Sequence, residues 1–325
     1  MAWKIKGSGA SAPAGQTQAS TVNLKRDVAP AVTLHLGAHK TASTHLQKTW
    51  ATNLDLLARH GCTYLGPDRL RHDLKIPRLR GTVEGFRAKL GPLLGAVRDA
   101  QAAGQRLLLS NENIFGGGPI PPILALGAAY YPRAEAHLEP LLAGLGLEDV
   151  TIALALRNPI EQLVSGWGHQ HLAGRVTRFE DYCAEVDRAA LRWSDLIVRI
   201  LSSTRVAHVV LWRFEDYCAL MPALAARLAG LPEGTVLRAP DEHSPRSFLV
   251  GPSARALEAV PGILARNPGL APRDALRRAM TRFPKSAAWP GPVPVPDAEI
   301  AASRARYAQE WGQLRGMDRV TCLAP

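Results

Sequence analysis

Cysteine is scarce in this chain. Cys62, Cys183, Cys218 and Cys322 are scattered over 325 residues, with no CxxC pair and no histidine at metal-ligand spacing. That pattern builds neither a disulfide framework nor a zinc site, and a reduced, cytoplasmic protein is the expectation. Aromatic residues make up only 6% of the chain, and no aromatic-interleaved basic motif of a nucleic-acid binder is present. Apolar runs are short. None approaches the ~18 residues of a membrane span, so no stable membrane insertion is expected. Lys4 and Lys6 precede no apolar segment, and no signal peptide is expected. Acidic residues are also in deficit, 28 against 39 Lys plus Arg, for a formal charge of +11. Such an excess favours an anionic partner: nucleic acid, a phosphorylated cofactor or an acidic substrate.

Length and a hydrophobic content of 46% are sufficient for a full core. Residues 1–27 read as a flexible N-terminal tail, small and polar from 7 to 22, and 28–325 as one domain without a separating linker. From Ala31 the chain alternates. "AVTLHL" is a strand pattern, and Leu46, Trp50, Leu54 and Leu57 have helical spacing closed by Gly61. A helix ending near Ala103, the strand "RLLLSNE", the strand "VTIALAL", the helix "IEQLVSGWGHQHLAG", a helix over 189–201 and the strand "VAHVVLW" follow. Strands alternating with helices predict an α/β layer fold with a mostly parallel sheet, and 214–325 reads as helices between Pro-rich turns. "RFEDYCA" occurs at 178–184 and at 213–219. Its flanks do not match, so the two copies read as similar helix starts and not as a solenoid.

"LHLGAHKTAST", residues 34–44, carries the first chemical signal. A buried strand ends at Gly37, and a helix begins near Ser43. Between them one cation, Lys40, stands among the hydroxyls of Thr41, Ser43 and Thr44. A helix N-terminus offers free N–H groups and the positive end of its dipole, so this turn suits a phosphate. The signature GxxxxGK[ST] of nucleotide triphosphatases is absent. A second signal is "LRNPIEQLVS", 156–165. Arg157 ends a strand, Pro159 opens a helix and Ser165 lies two turns along it, an arrangement that suits a second phosphate. Two phosphate sites on one sheet edge point to a nucleotide phosphorylated at two places.

These two motifs resemble those of the sulfotransferases that use 3′-phosphoadenosine 5′-phosphosulfate (PAPS), whose patterns are PK[TS]xxT and RxPxxxxxS. The resemblance is clearest over residues 31–217, and is closest to bacterial enzymes related to carbohydrate sulfotransferases. It implies a three-layer α/β/α sandwich with a central parallel sheet and a P-loop-like phosphate-binding loop. It also implies that Gly37, His39, Lys40, Thr41, Ala42, Ser43 and Thr44 hold the 5′ end, with His45 near adenine, and that Arg157 and Ser165 hold the 3′-phosphate. His39 stands where the family commonly has proline, and Ala42 where it commonly has glycine.

The reaction implied moves a sulfuryl group from PAPS to a hydroxyl or amine, leaving 3′,5′-diphosphoadenosine (PAP). The acceptor expected is a carbohydrate or small metabolite, and an acidic one would suit the basic charge of the chain. No metal is expected. Lys40 would neutralise the departing oxygen, and Glu112, just past the strand "RLLLSNE", is the base that the resemblance favours. His39 and His72 are rival bases, His72 on the acceptor side. His169 and His171, which follow Ser165 on its helix, read as surface groups or as groups one layer behind the site, and Trp167 and Trp193 as core. The basic run from Arg69 to Lys89 reads equally as an acidic-acceptor surface or a solvated face. A P-loop-type nucleotide kinase and a basic nucleic-acid-binding protein are the alternative readings.

Overall fold

Six parallel strands form one sheet in the computed structural model, which describes residues 31–74, 90–116, 120–175, 177–240 and 251–325. The expected tail and the part of the basic run over 75–89 lie outside these residues. The strands are β1 (Val32–His35), β2 (Cys62–Leu65), β3 (Arg106–Ser110), β6 (Val150–Leu156), β7 (Val206–Arg213) and β8 (Val320–Leu323). Their order is β2-β3-β1-β6-β7-β8, while the two-residue strands β4 (Ala125–Leu126) and β5 (Ala129–Tyr130) pair antiparallel by themselves. All seven residues of β6 are buried. That suits a central parallel strand covered on both faces, and it explains an uninterrupted apolar run where alternation would mark a half-exposed strand.

Helices cover both faces. On one lie α1 (Ser43–Thr52), α2 (Leu54–Arg59) and α9 (Tyr217–Leu228), with Leu46, Trp50 and Leu224 packed on Leu108, Ala153, Ala155 and Trp212. On the other lie α3 (Gly91–Ala102), α5 (Ala134–Leu145), α6 (Pro159–Leu172), α8 (Trp193–Leu201) and α12 (Asp297–Leu314), packed on Leu34, Leu36, Ile152, Leu154 and Val209. The short helices α4 (Pro121–Leu124) and α7 (Phe179–Tyr182) sit in the connections. A hairpin of α10 (Ala254–Arg266) and α11 (Pro272–Arg282) has a small core of its own, Ala256, Val260, Ala275, Leu276 and Ala279, which partly buries Leu172 of α6.

Three details depart from the sequence pattern. The first helix breaks at Asn53, whose amide donates to the Thr49 and Arg238 carbonyls at 2.7 and 2.8 Å. The helix over 189–201 starts at Trp193. Residues 214–325, expected to be helical, also supply strand β8, paired with β7 from Val209↔Val320 to Trp212↔Leu323.

The topology selects a place for a ligand. From β1 the chain crosses one face, through α1 and α2, to β2. From β6 it crosses the other face, through α6 and α8, to β7. The loops leaving β1 and β6 therefore part in opposite directions above two adjacent strands, which is where open α/β sheets hold ligands.

Candidate functional site

After β1 the backbone keeps sheet register for three more residues. Leu36 and Ala38 donate N–H groups to the carbonyls of Ala153 and Ala155, and the Gly37 carbonyl accepts from Ala155 N–H at 2.7 Å. Gly37 has φ 105°, and a Cβ there would stand 3.0 Å from the Glu112 Cβ. The strained φ and the close approach both require glycine. Lys40 and Ala42 then turn left-handed, at φ 66° and 64°, and α1 starts with no side-chain cap. No side chain takes up its first N–H groups, although the His45 N–H already bonds the Ala42 carbonyl at 3.0 Å.

The loop is braced from three sides. Thr41 Oγ1 and Ser43 Oγ donate to the Ala38 carbonyl at 2.6 and 3.0 Å, so two of the three hydroxyls expected at the phosphate also tie the turn together. Thr44 is half-buried. The Tyr131 hydroxyl accepts from His39 N–H at 2.9 Å and lies 3.1 Å from His39 Nδ1. Tyr131 itself is held at φ 44° by Arg199, which bonds the carbonyls of Tyr130 and Tyr131 and the Glu135 carboxylate. From α6, Gln162 donates to the His39 carbonyl at 3.0 Å.

The second loop locks onto the first. Arg157 Nη1 donates to the Lys40 carbonyl at 2.9 Å, and the guanidinium lies 4.4 Å from the centre of the Phe214 ring. The Arg157 carbonyl accepts from Trp193 Nε1 at 2.8 Å. Next to it, Asn158 caps α6 by accepting from Glu161 N–H, donates its own N–H to Glu215 at 3.0 Å, and meets Ser303 of α12 at 3.1 Å. The second copy of "RFEDYCA" thus supplies Phe214 and Glu215 to the Arg157 loop.

Charge is the dominant feature. Among the described residues neither Lys40 nor Arg157 forms an ion pair with a carboxylate. Burial, reinforced by the Arg157 charge, pulls the Lys40 ammonium down to about 8. Burial also lowers Arg157, against the pull of Glu161 and Glu215. Lys285, an exposed residue in the turn after α11, is lowered by partial burial of its ammonium and then by the Arg157 charge. His169 lies four residues beyond Ser165, on the same face of α6. Burial, Lys40 and His39 hold its imidazole down to about 4. It lies within electrostatic reach of Lys40 and His39, in keeping with a group behind the site.

Glu112 opens the turn after β3, half-buried opposite Gly37, and receives Gln47 Nε2 on Oε2 at 2.7 Å. The topology therefore sets Glu112 against Gly37 at one end of the turn and Arg157 against Lys40 at the other. His45 is buried, its Nδ1 2.8 Å from the Tyr217 hydroxyl. Ser165 is half-buried on α6 and His72 is exposed where the described chain pauses at Leu74. Trp193 is core, stacked on Tyr130 with centroids 3.8 Å apart. Trp167 donates to the Thr177 carbonyl.

Gln47, Tyr131, Gln162, Phe214 and Lys285 were not evident from the motifs. Only Gln162 had a local signal, because it falls inside "RNPIEQLVS". Among the described residues no three His, Cys, Asp or Glu side chains gather as a metal site, and no helix is long and apolar enough to cross a membrane. No family model matches the chain, and no curated protein matches it.

Proposed function

We propose that this protein is a sulfotransferase that moves a sulfuryl group from PAPS to a hydroxyl or amine of a carbohydrate or small-metabolite acceptor. The observation that supports the reading is the pair of buried cations, Lys40 and Arg157, whose loops meet at the switch point of the sheet. Neither is in an ion pair among the described residues, and only Arg157 has carboxylates, Glu161 and Glu215, acting on it. Burying like charges together is costly unless a ligand supplies the opposite charge. An adenosine phosphorylated at both ends meets that need. The turn at 37–44 acts as a P-loop-like cradle for the 5′ end, and Arg157 with Ser165 and Lys285 receives the 3′-phosphate.

Transfer is an in-line exchange at sulfur. The acceptor oxygen forms a bond to sulfur while the bond from sulfur to the oxygen bridging phosphorus breaks. The electron pair stays on that bridging oxygen, and the Lys40 ammonium neutralises it. The acceptor's proton passes to the Glu112 carboxylate. The products are the sulfate ester, or the sulfamate of an amine, and PAP. Positioning and charge stabilisation supply the rate, as in phosphoryl transfer.

The test compares nucleotides by thermal unfolding. PAP at a hundredfold excess over its Kd stabilises the native state by about 2.7 kcal/mol. Adenosine 5′-monophosphate, lacking the 3′-phosphate, stabilises it far less, and ATP with magnesium serves as the kinase control. Equal shifts with PAP and adenosine monophosphate refute a 3′-phosphate site.

A further inference from the structure

Behind Glu112 lies a buried polar chain that the transfer step leaves unused. Gln47 projects from α1 toward the end of β3, and Nε2 donates to Glu112 Oε2 at 2.7 Å and to Ser110 Oγ at 3.2 Å. Turning the amide over would set its carbonyl against the carboxylate, so charge fixes this orientation. The Tyr64 hydroxyl donates to the Gln47 carbonyl at 3.1 Å and holds that turn of α1 in place. Ser110 Oγ lies 2.7 Å from His35 Nδ1. The His35 ring is wholly buried against Trp50 and Trp212, with centroids 5.4 and 5.9 Å away. Burial, against the raising pull of Glu112, brings it down to about 4. It is a neutral ring, and its Nε2 has no partner among the described residues.

We propose that Gln47 is a positioning residue for Glu112, tying down Oε2 and leaving Oε1 as the atom that takes the acceptor's proton. The proposal rests on the sulfotransferase reading above. Among the described residues Oε1 meets only Asn113 Nδ2, at a long 3.4 Å. As the O–S bond forms and the S–O bond to phosphate breaks, the acceptor proton arrives on Oε1. It cannot travel inward. The Gln47 amide neither gives up nor takes on a proton at neutral pH, and His35 beyond it is enclosed by indole rings. The proton leaves through the cleft, after the product.

The experiment uses water as the acceptor and follows PAP release from PAPS between pH 5 and 9. Gln47→Leu lowers kcat by about tenfold to a hundredfold with KM for the donor nearly unchanged. It also moves the acid limb of the profile to higher pH, because a hydrogen bond to the ionised form is gone. Gln47→Glu, nearly isosteric, sets a second carboxylate beside the first and moves that limb up by about one pH unit or more. A purely structural role would lower the rate and leave the limb in place. Gln47→Glu carries the test if Gln47→Leu does not fold, with PAP affinity by calorimetry as the check on folding. If Glu112→Gln collapses turnover while both Gln47 variants keep the wild-type rate and limb, the Gln47 inference falls alone. If Glu112→Gln turns over normally, the base assignment falls first and takes this proposal with it.

Discussion

Lys40 is held with its proton loosely bound, about 8 against an ordinary 10.5. A lysine depressed in the native state binds fewer protons there than in the unfolded chain between those two values. Below pH 8 the native state carries the whole cost of the buried ammonium. Stability rises with pH between about 8 and 10.5 as that cost is relieved. Lys40→Met should therefore be more stable than wild type at pH 7, with the gap closing by pH 10, as measured by urea unfolding. An anion in the site restores the charge, so PAP binding near pH 8–9 should take up a proton. Calorimetry in two buffers of different ionisation enthalpy reads that uptake, and Lys40→Met should lose it. The two cations also separate kinetically. Lys40→Ala should depress kcat by about 10²–10³-fold, because its charge matters most as the bridging oxygen departs. Arg157→Ala should chiefly weaken donor affinity, through loss of a charge-assisted pair. Normal turnover of Lys40→Ala at saturating PAPS would remove it from the mechanism.

At the scale of elements, the turn between β1 and α1 is the decisive piece, and it was partly legible. A strand, a glycine, a lysine and a run of hydroxyls sufficed to place a strand-to-helix turn at 37–44, the turn proposed to hold the phosphate. The sequence could not tell that Thr41 and Ser43 spend their protons on the Ala38 carbonyl, because that depends on the two left-handed residues around them. Ala42 is one of these. With φ 64° and a Cβ it carries strain that glycine would not, so Ala42→Gly should stabilise the fold by about 1 kcal/mol, checked by urea unfolding. Gly37→Ala works the other way. Its Cβ would meet Glu112 Cβ at 3.0 Å and the His39 nitrogen at 3.2 Å, and about 1–3 kcal/mol should be lost, together with PAP binding. Glu112 was legible because it follows an apolar strand. Gln47 was not, because its partner lies 65 residues away and nothing local distinguishes it from other helix residues.

Over the whole molecule the parallel α/β order was readable, since β1, β3, β6 and β7 are apolar runs spaced by helical patterns. β8 was not. Its four residues are all half-buried, and what makes them a strand is the open edge of β7, which no local pattern records. The C-terminal part is integral to the fold. Tyr307, Trp311 and Leu314 of α12 lie in the main core, β8 covers the β7 edge, and Ser303 holds Asn158 beside Arg157. Deleting residues 297–325 should therefore leave an insoluble chain, as an uncovered parallel edge and an open core would, and a soluble product that binds PAP would contradict this packing.

Asn158 and Ser303 are 145 residues apart in the chain, and that distance is also a time. Ribosomes add about 5–20 residues per second, so the arginine loop waits roughly seven to thirty seconds for its brace. During that interval the nascent sheet has its central strands and its lysine turn, but Asn158 beside Arg157 has not yet met Ser303. If this corner holds the 3′-phosphate as proposed, the full nucleotide site is completed only after translation has passed α12.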